Sequence, residues 1–252
     1  MKQALINFAR DLHAYDLLRH NRVYHALELL WKPDAAQALK NRIQRLHEFV
    51  GCKRFLAFDV GANIGQFTAP LLKLGARVVA VEPDPNAAAI LRIRFWARWP
   101  VTIEQFAISN QAGTANFYQQ HPGSQRNTLQ ANEILAVGGA SQIVQVKLIT
   151  LSELIAKHGR PFFLKIDVEG HELAVLAGLQ AAVPRIMFEC NTPEALQDGI
   201  RCVQRLYELS PNYIFATAET GSIAPNAWLS KEELVRQLEG TPHPVDIFAR
   251  LP

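Results

Sequence analysis

The chain has 252 residues, 49% of them hydrophobic and 19% charged, with a formal net charge of +3. That length suits one α/β domain with additions, and the composition is that of a globular protein with a large core. So slight a positive charge gives no electrostatic footprint for a nucleic acid, and no apolar run reaches the ~18 to 20 residues that span a bilayer. Cys52, Cys190 and Cys202 are odd in number and far apart, which fits reduced thiols rather than a disulfide framework or a zinc site. The N-terminus carries charges where a signal peptide needs an apolar block, so a cytoplasmic protein is expected.

In chain order, residues 1–50 read as a helical extension, a cap or packing layer ahead of a domain at 51–252. Within it Pro33 and Asp34 restart a helix through Leu39, Ile43, Leu46 and Phe49. Arg19, His20, Arg22 and His25 form a basic patch, better read as a solvated helix face than as a phosphate site. Phe55 to Phe58 is a short buried strand, and Asp59-Val60-Gly61-Ala62-Asn63-Ile64-Gly65 follows as a glycine turn. A helix pattern on Phe67, Leu71, Leu72 and Leu74 opens behind it and closes at Gly75. Glycines at such a junction let a ligand approach the backbone, beside the free N–H groups of a helix start. Gly61 and Gly65 are four apart with no third glycine, which is not the dinucleotide-binding G-x-G-x-x-G.

Ala76 to Val81 is an apolar second strand ending in Glu82-Pro83-Asp84. Glu82 follows Gly61 by 21 residues, close to the ~20-residue offset at which nucleotide-binding α/β folds place an acid on the ribose hydroxyls. Asn86 to Ala97 is the next helix, Pro100 breaks it, and Val101 to Ala107 alternates as a third strand. Ala107-Ile108-Ser109 then sits where a loop presents backbone groups to an adenine ring. Asn110 to Gly113 is a turn, Thr114 to Tyr118 a short strand, and residues 121–140 are either a substrate loop or a disordered connection. After a strand from Ile143 to Leu148, Thr150 and Glu153 form a capping box. A buried strand, Phe162 to Ile166, ends in Asp167-Val168-Glu169-Gly170-His171-Glu172 and leads to a helix on Leu173, Leu176 and Leu179. Arg185 to Glu189, a helix over 193–209, Tyr213 to Thr217, a turn at Gly221 and Val245 to Leu251 complete the sheet. Trp96 and Trp99 are expected in the core; His158, Pro242, His243 and Pro244 read as surface or turn residues.

FDVGANIGQFT resembles motif I of class I S-adenosylmethionine-dependent methyltransferases. Together with VEPDP, AISN, TANFY, FECN and above all LKIDVEGHELAVLAGL, the stretch from Arg54 to Asn191 resembles the FkbM family of methyltransferases. The resemblance implies a Rossmann-like α/β fold: a seven-stranded, mostly parallel sheet with an antiparallel last strand and helices on both faces. It implies S-adenosylmethionine as methyl donor and a hydroxyl acceptor on a sugar, glycan or small metabolite. Carried over, Asp59, Gly61, Asn63 and Gly65 surround the amino-acid part of the donor, Glu82 holds its ribose, and Ala107 and Ile108 hold its adenine. Asp167 faces the methionine end, and Phe67 and Pro83 complete the candidate donor set.

Methyl transfer is an in-line displacement, and an alcohol acceptor loses its proton as it attacks, so a general base is expected. His171 is the candidate base, since its ordinary pKa suits proton transfer near neutrality; Asp167 and Glu189 complete the catalytic candidates. The alternative for His171 is a helix cap. Asp167, Glu169 and Glu189 are also hard oxygen ligands for Mg²⁺, a reading not favoured over hydrogen-bonding roles, so no metal site is assigned. Two rival functions share the crevice: a non-catalytic cofactor-binding subunit of a glycan-assembly system, and a nicotinamide-dependent oxidoreductase. No nucleic acid or membrane span is expected, and an oligomer is compatible with the sequence.

Overall fold

The structure is a computed structural model that describes residues 33–96, 100–120, 127–131, 142–190, 193–218, 228–239 and 245–252. The basic patch at residues 19–25, Trp99, Gly221, His243 and the prolines beside it lie outside these residues. The strands are β1 Leu56–Val60, β2 Arg77–Val81, β3 Val101–Glu104, β4 Ala107–Ser109, β5 Gly113–Gln119, β6 Gln142–Thr150, β7 Phe163–Ile166, β8 Arg185–Cys190, β9 Ile214–Ala218 and β10 Val245–Arg250. The helices are α1 Pro33–Val50, α2 Thr68–Lys73, α3 Pro85–Arg94, α4 Leu151–His158, α5 Glu172–Ala177, α6 Pro193–Leu209 and α7 Lys231–Glu239.

Seven strands form one sheet in the order β3-β2-β1-β7-β8-β10-β9. β1, β2, β3, β7 and β8 pair in parallel, while β10 runs antiparallel between β8 and β9. The apolar runs of β1, β2 and β7 are buried because both faces are covered. Side chains alternate between the faces. Phe58, Val60, Val79 and Val81 pack with Leu154, Leu176, Leu206 and Leu234, so α4 to α7 cover one side. Ala57, Val78, Phe163 and Phe248 meet Leu46, Phe49 and Val50 of α1 and Leu71 of α2 on the other. The Phe49 ring lies edge-on to Phe248 at 5.0 Å and to Phe163 at 5.9 Å, which ties α1 to the sheet.

The stretch expected as one third strand divides in two. Val101–Glu104 joins the main sheet, whereas Ala107–Ser109 pairs in parallel with β6 in a three-stranded sheet, β4-β6-β5. Between them Phe106 turns into the core. Thr150 forms the expected capping box: its hydroxyl accepts from Glu153 N–H at 3.1 Å, and Glu153 accepts from Thr150 N–H at 2.7 Å. Trp96, expected in the core, is 76% exposed because α3 has ended two residues earlier. His158, expected at the surface, is half-buried, with Nε2 2.7 Å from Glu104 Oε1. Among the described residues, no helix is long and apolar enough to cross a membrane.

Candidate active site

At the carboxyl ends of β1, β2, β7 and β8 lies a cavity of about 810 Å³. This is where open α/β sheets bind ligands, and the volume suits a nucleoside-sized molecule.

The glycine turn shapes its floor. Gly61 N–H and Ala62 N–H both donate to Val81 O at 3.0 Å, fastening the end of β1 to the end of β2. Gly61 has φ +74°, and a Cβ there would lie 1.7 Å from the backbone oxygen of Asp167. Only glycine lets the two strand ends come this close. Gly65 (φ +86°) acts differently: a Cβ there would meet the Phe95 ring at 2.5 Å, so it seats the turn against the end of α3, outside the cavity lining. Asp59 is also behind the lining. It is fully buried, accepts from Thr68 Oγ1 at 2.6 Å, and lies 3.7 Å from Lys165 Nζ.

Glu82 stands where β2 meets the cavity, 5% exposed. One carboxylate oxygen accepts from Asn63 N–H at 2.7 Å and the other from Asp84 N–H at 2.9 Å. Each oxygen keeps capacity for a second hydrogen bond. Burial raises its pKa to about 7 against the pull of these two N–H groups. Pro83, Ala107 and Ile108 line the cavity beside it, with Phe106 and Phe117 extending an apolar wall. Part of the segment expected as a loop roofs this end. Asn127 Nδ2 donates to Asp84 at 2.9 Å, Thr128 Oγ1 to Glu169 O at 2.9 Å, and Gln130 Nε2 to Gly170 O at 2.8 Å. These residues strap the end of β2 to the turn after β7.

Lys165 is the polar centre beneath the cavity. Its side chain is 4% exposed; Nζ is 2.9 Å from Asp167 Oδ2 and donates to Gly61 O at 3.1 Å. Register puts Lys165 opposite Asp59, so both project to the α1 side of the sheet. Burial disfavours its charge, but Asp167 and Asp59 outweigh that and its pKa is raised. Asp167 and Phe67 line the cavity, and the Lys165 ammonium sits 5.0 Å over the Phe67 ring.

A cluster of acids forms the far end. Glu189 on β8 lies opposite Asp246 on β10 in the antiparallel register, and both line the cavity. Burial, then the charge of Asp167, pushes Asp246 up to about 6. Glu169 (φ +51°) is pushed to about 8, first by burial and then by Asp167 and Glu189. Glu172 closes the turn by accepting from Val168 N–H at 2.9 Å, and burial takes its pKa to about 7. Among the described residues, no group of three or more His, Cys, Asp or Glu side chains is placed to hold a metal ion.

Most of the expected site residues converge here: Gly61, Asn63, Phe67, Glu82, Pro83, Ala107, Ile108, Asp167 and Glu189 all line one cavity. His171 does not. Its Nε2 lies 3.0 Å from Ser109 Oγ on β4, outside the cavity lining, and burial lowers its pKa. It occupies the N-cap position of α5 without making a side-chain cap. From that N-cap position its ring faces Ser109 of the small sheet, although the acids are close in sequence. Lys165, Arg42, Asn127, Thr128 and Asp246 also line the cavity, and motif reading did not find them. Lys165 carries a signal, a lone cation inside an apolar strand next to Asp167.

A seven-stranded sheet in this order, with β10 reversed and the ligand cleft at the carboxyl ends around β1 and β2, is the class I methyltransferase fold. The Methyltransferase FkbM domain profile matches residues 59–209, and the chain belongs to that family. It is 32% identical over 161 residues to 31-O-demethyl-FK506 methyltransferase FkbM of Streptomyces tacrolimicus, covering 52% of this chain and 62% of that protein. It is 30% identical over 135 residues to hexuronic acid methyltransferase AglP of Haloferax volcanii, covering 52% of each. The chain thus spans less than two thirds of either relative. Precorrin-6y C5,15-methyltransferase of Geobacter metallireducens superposes with a TM-score of 0.48 at 11% identity, over 84% of this chain and 86% of that one.

Proposed function

We propose that the protein transfers a methyl group from S-adenosylmethionine to a hydroxyl of a sugar, glycan or small metabolite. The observation that carries this reading is Glu82, a buried carboxylate held by two backbone N–H groups at the nucleotide end of the cavity in an FkbM-family chain. One relative is named for an O-demethylated metabolite and the other for a hexuronic acid, which supports an oxygen acceptor on a metabolite or sugar.

The residues present fit the donor. Glu82 accepts from the ribose diol, and Phe106, Ala107 and Ile108 supply an apolar slot for a flat base. The Asn63 loop runs on toward Asp167 and the sulfur end. Asp59 and Gly65 support that loop from behind. S-adenosylmethionine supplies a sulfonium methyl group open to in-line displacement. The chain's own part is to hold the acceptor oxygen in line and take its proton. Burial strengthens both contributions, since positioned groups in a water-poor cleft need no reorganisation. Glu189 and Asp246, facing the cavity on adjacent strands, are the proton acceptors this geometry offers, and Asp246 at about 6 is ionised yet basic near neutrality. Asp167, paired with Lys165, orients the reacting end.

The test is transfer of label from methyl-labelled S-adenosylmethionine to a panel of hexoses, hexuronic acids and hydroxylated polyketide-type metabolites. A base-stable label on at least one acceptor, abolished in Glu82→Ala, is expected. A base-labile ester would move the accepting atom from hydroxyl to carboxylate, and absence of both donor binding and transfer would refute the reading.

A further inference from the structure

The nucleoside half of the cavity is fixed by Glu82 and the apolar slot, so the rest of a donor molecule must run over the Asn63 turn to the wall opposite. That wall is built from Gln66 and Phe67 and from a helix that precedes the family-matched residues: Arg42 and Arg45 of α1 both line the cavity. They sit one turn apart on the same helix face as the core residues Leu46 and Phe49. Arg42 is held rather than free to swing. Its Nη1 donates to Gln66 O at 3.2 Å, and its guanidinium lies 4.8 Å over the Phe67 ring. The same ring carries Lys165 Nζ at 5.0 Å, so Phe67 connects Arg42 with the ammonium that binds Gly61 O.

Lys165 and Arg42 are not equivalent. Lys165 is committed to Asp167 and Asp59. Among the described residues Arg42 makes no ion pair at 4.0 Å or less, although it is half-buried, and its side-chain hydrogen bond to Gln66 O uses one of five donors. Burial and the like charge of Arg45 lower its pKa, and more distant carboxylates, Asp246 foremost, only partly counter this. A half-buried guanidinium with spare donors beside a second guanidinium is a place where an anion is stabilised. The donor reading puts an α-amino acid at this end. Its carboxylate needs a fork of donors, and its ammonium needs oxygens, which Gly61 O and Asp167 supply on the same wall.

We infer that Arg42 of α1 binds the α-carboxylate of the donor's amino-acid end, so that a segment outside the family-matched region completes the donor site. The inference rests on the methyltransferase reading above. It assigns α1 a binding role in addition to packing, and makes discrimination between nucleosides with and without an amino-acid tail a property of this helix.

The experiment is calorimetric titration of the full chain with S-adenosylhomocysteine and with 5′-methylthioadenosine, which keeps the nucleoside and sulfur but lacks the amino-acid end. Wild type, Arg42→Ala and Arg42→Lys are compared. Losing a charge-assisted pair weakens binding roughly 10- to 100-fold, so Arg42→Ala should lose that much affinity for S-adenosylhomocysteine while methylthioadenosine stays within about twofold. Arg42→Lys should fall between, because a point charge replaces a fork. Unchanged methylthioadenosine binding also shows that the variant is folded. Equal weakening of both ligands would overturn the inference and leave Arg42 a prop for Gln66 and Phe67. Unchanged S-adenosylhomocysteine affinity would overturn it too, freeing the arginine for the acceptor. If wild type binds neither compound, the donor reading falls first and this inference with it.

Discussion

Glu82 should make donor binding depend on pH in a calculable way. Its carboxyl is buried, with a pKa of about 7 in the empty protein, and the two backbone N–H groups that hold it do not restore an ordinary carboxylate value. The ionised form is the one that accepts from both hydroxyls of a ribose, so bound ligand favours ionisation and binding releases a proton. With half the population protonated, about 0.5 proton should leave per ligand at pH 7, rising toward ~1 at pH 6 and falling toward zero above pH 8. Apparent affinity is reduced by the fraction of competent protein, so it should improve roughly tenfold between pH 6 and pH 8. The assay is titration with S-adenosylhomocysteine in two buffers of different ionisation enthalpy, repeated on Glu82→Gln. The amide cannot ionise and turns an NH₂ toward Asn63 N–H or Asp84 N–H, so the variant should bind more weakly and release no proton from this site. A flat pH profile in wild type, or release that persists in Glu82→Gln, would refute the role given to Glu82. The same shift has a stability sign. A carboxyl raised from 4.5 to about 7 on folding contributes stability that is complete below pH 4.5 and lost as pH rises through 7, a loss on the order of 3 kcal/mol for one buried group. Glu172, raised to about 7, and Asp246, raised to about 6, act in the same direction. The ligand-free protein should therefore melt at a lower temperature at pH 8 than at pH 5.5, and bound S-adenosylhomocysteine should narrow that gap.

Lys165→Met leaves Asp59 buried without its cation and should cost ~3 to 5 kcal/mol by urea denaturation; adding Asp59→Asn should recover part of it. A loss under about 1 kcal/mol would mean that the buried Lys165–Asp59 pair is not a structural unit. Gly61→Ala places a Cβ 1.7 Å from Asp167 O at a positive φ and should lower stability by at least ~3 kcal/mol, with an unchanged melting temperature contradicting the close approach. His171→Ala should leave S-adenosylhomocysteine affinity within twofold and turnover within about tenfold, whereas Asp246→Asn or Glu189→Gln should cut turnover ~10²-fold or more. The reverse ranking would return the proton to His171.

What the sequence made legible was local. The turn after β1, the acid after β2 and the DVEGHE turn after β7 each lie within a few residues of a strand end, and parallel pairing alone brings those ends together. The capping box of α4 is equally short-range, with both partners three residues apart. Long-range pairing was not legible. Val101 to Ala107 alternates like one strand, but Ala107 finds its partner at Leu148, in another sheet. Asn127 and Thr128 are ordinary polar residues until folding brings Asp84 and Glu169 beside them. Arg42 stands on a helix whose apolar face was readable, yet nothing within that helix shows that its cationic edge meets the Phe67 turn. Helix α7 did carry a local signal: Ser230 and Glu233 form reciprocal bonds at its start, the same S-x-x-E pattern that marks other helix starts.

The most direct test of the central claim is calorimetric titration of the full chain with S-adenosylmethionine, S-adenosylhomocysteine and NAD, in wild type and Glu82→Ala. Micromolar binding of both sulfur compounds, lost in the variant, and none of NAD is expected. Binding of NAD alone would assign the cleft to a nicotinamide chemistry, and binding of neither sulfur compound would contradict the assignment outright.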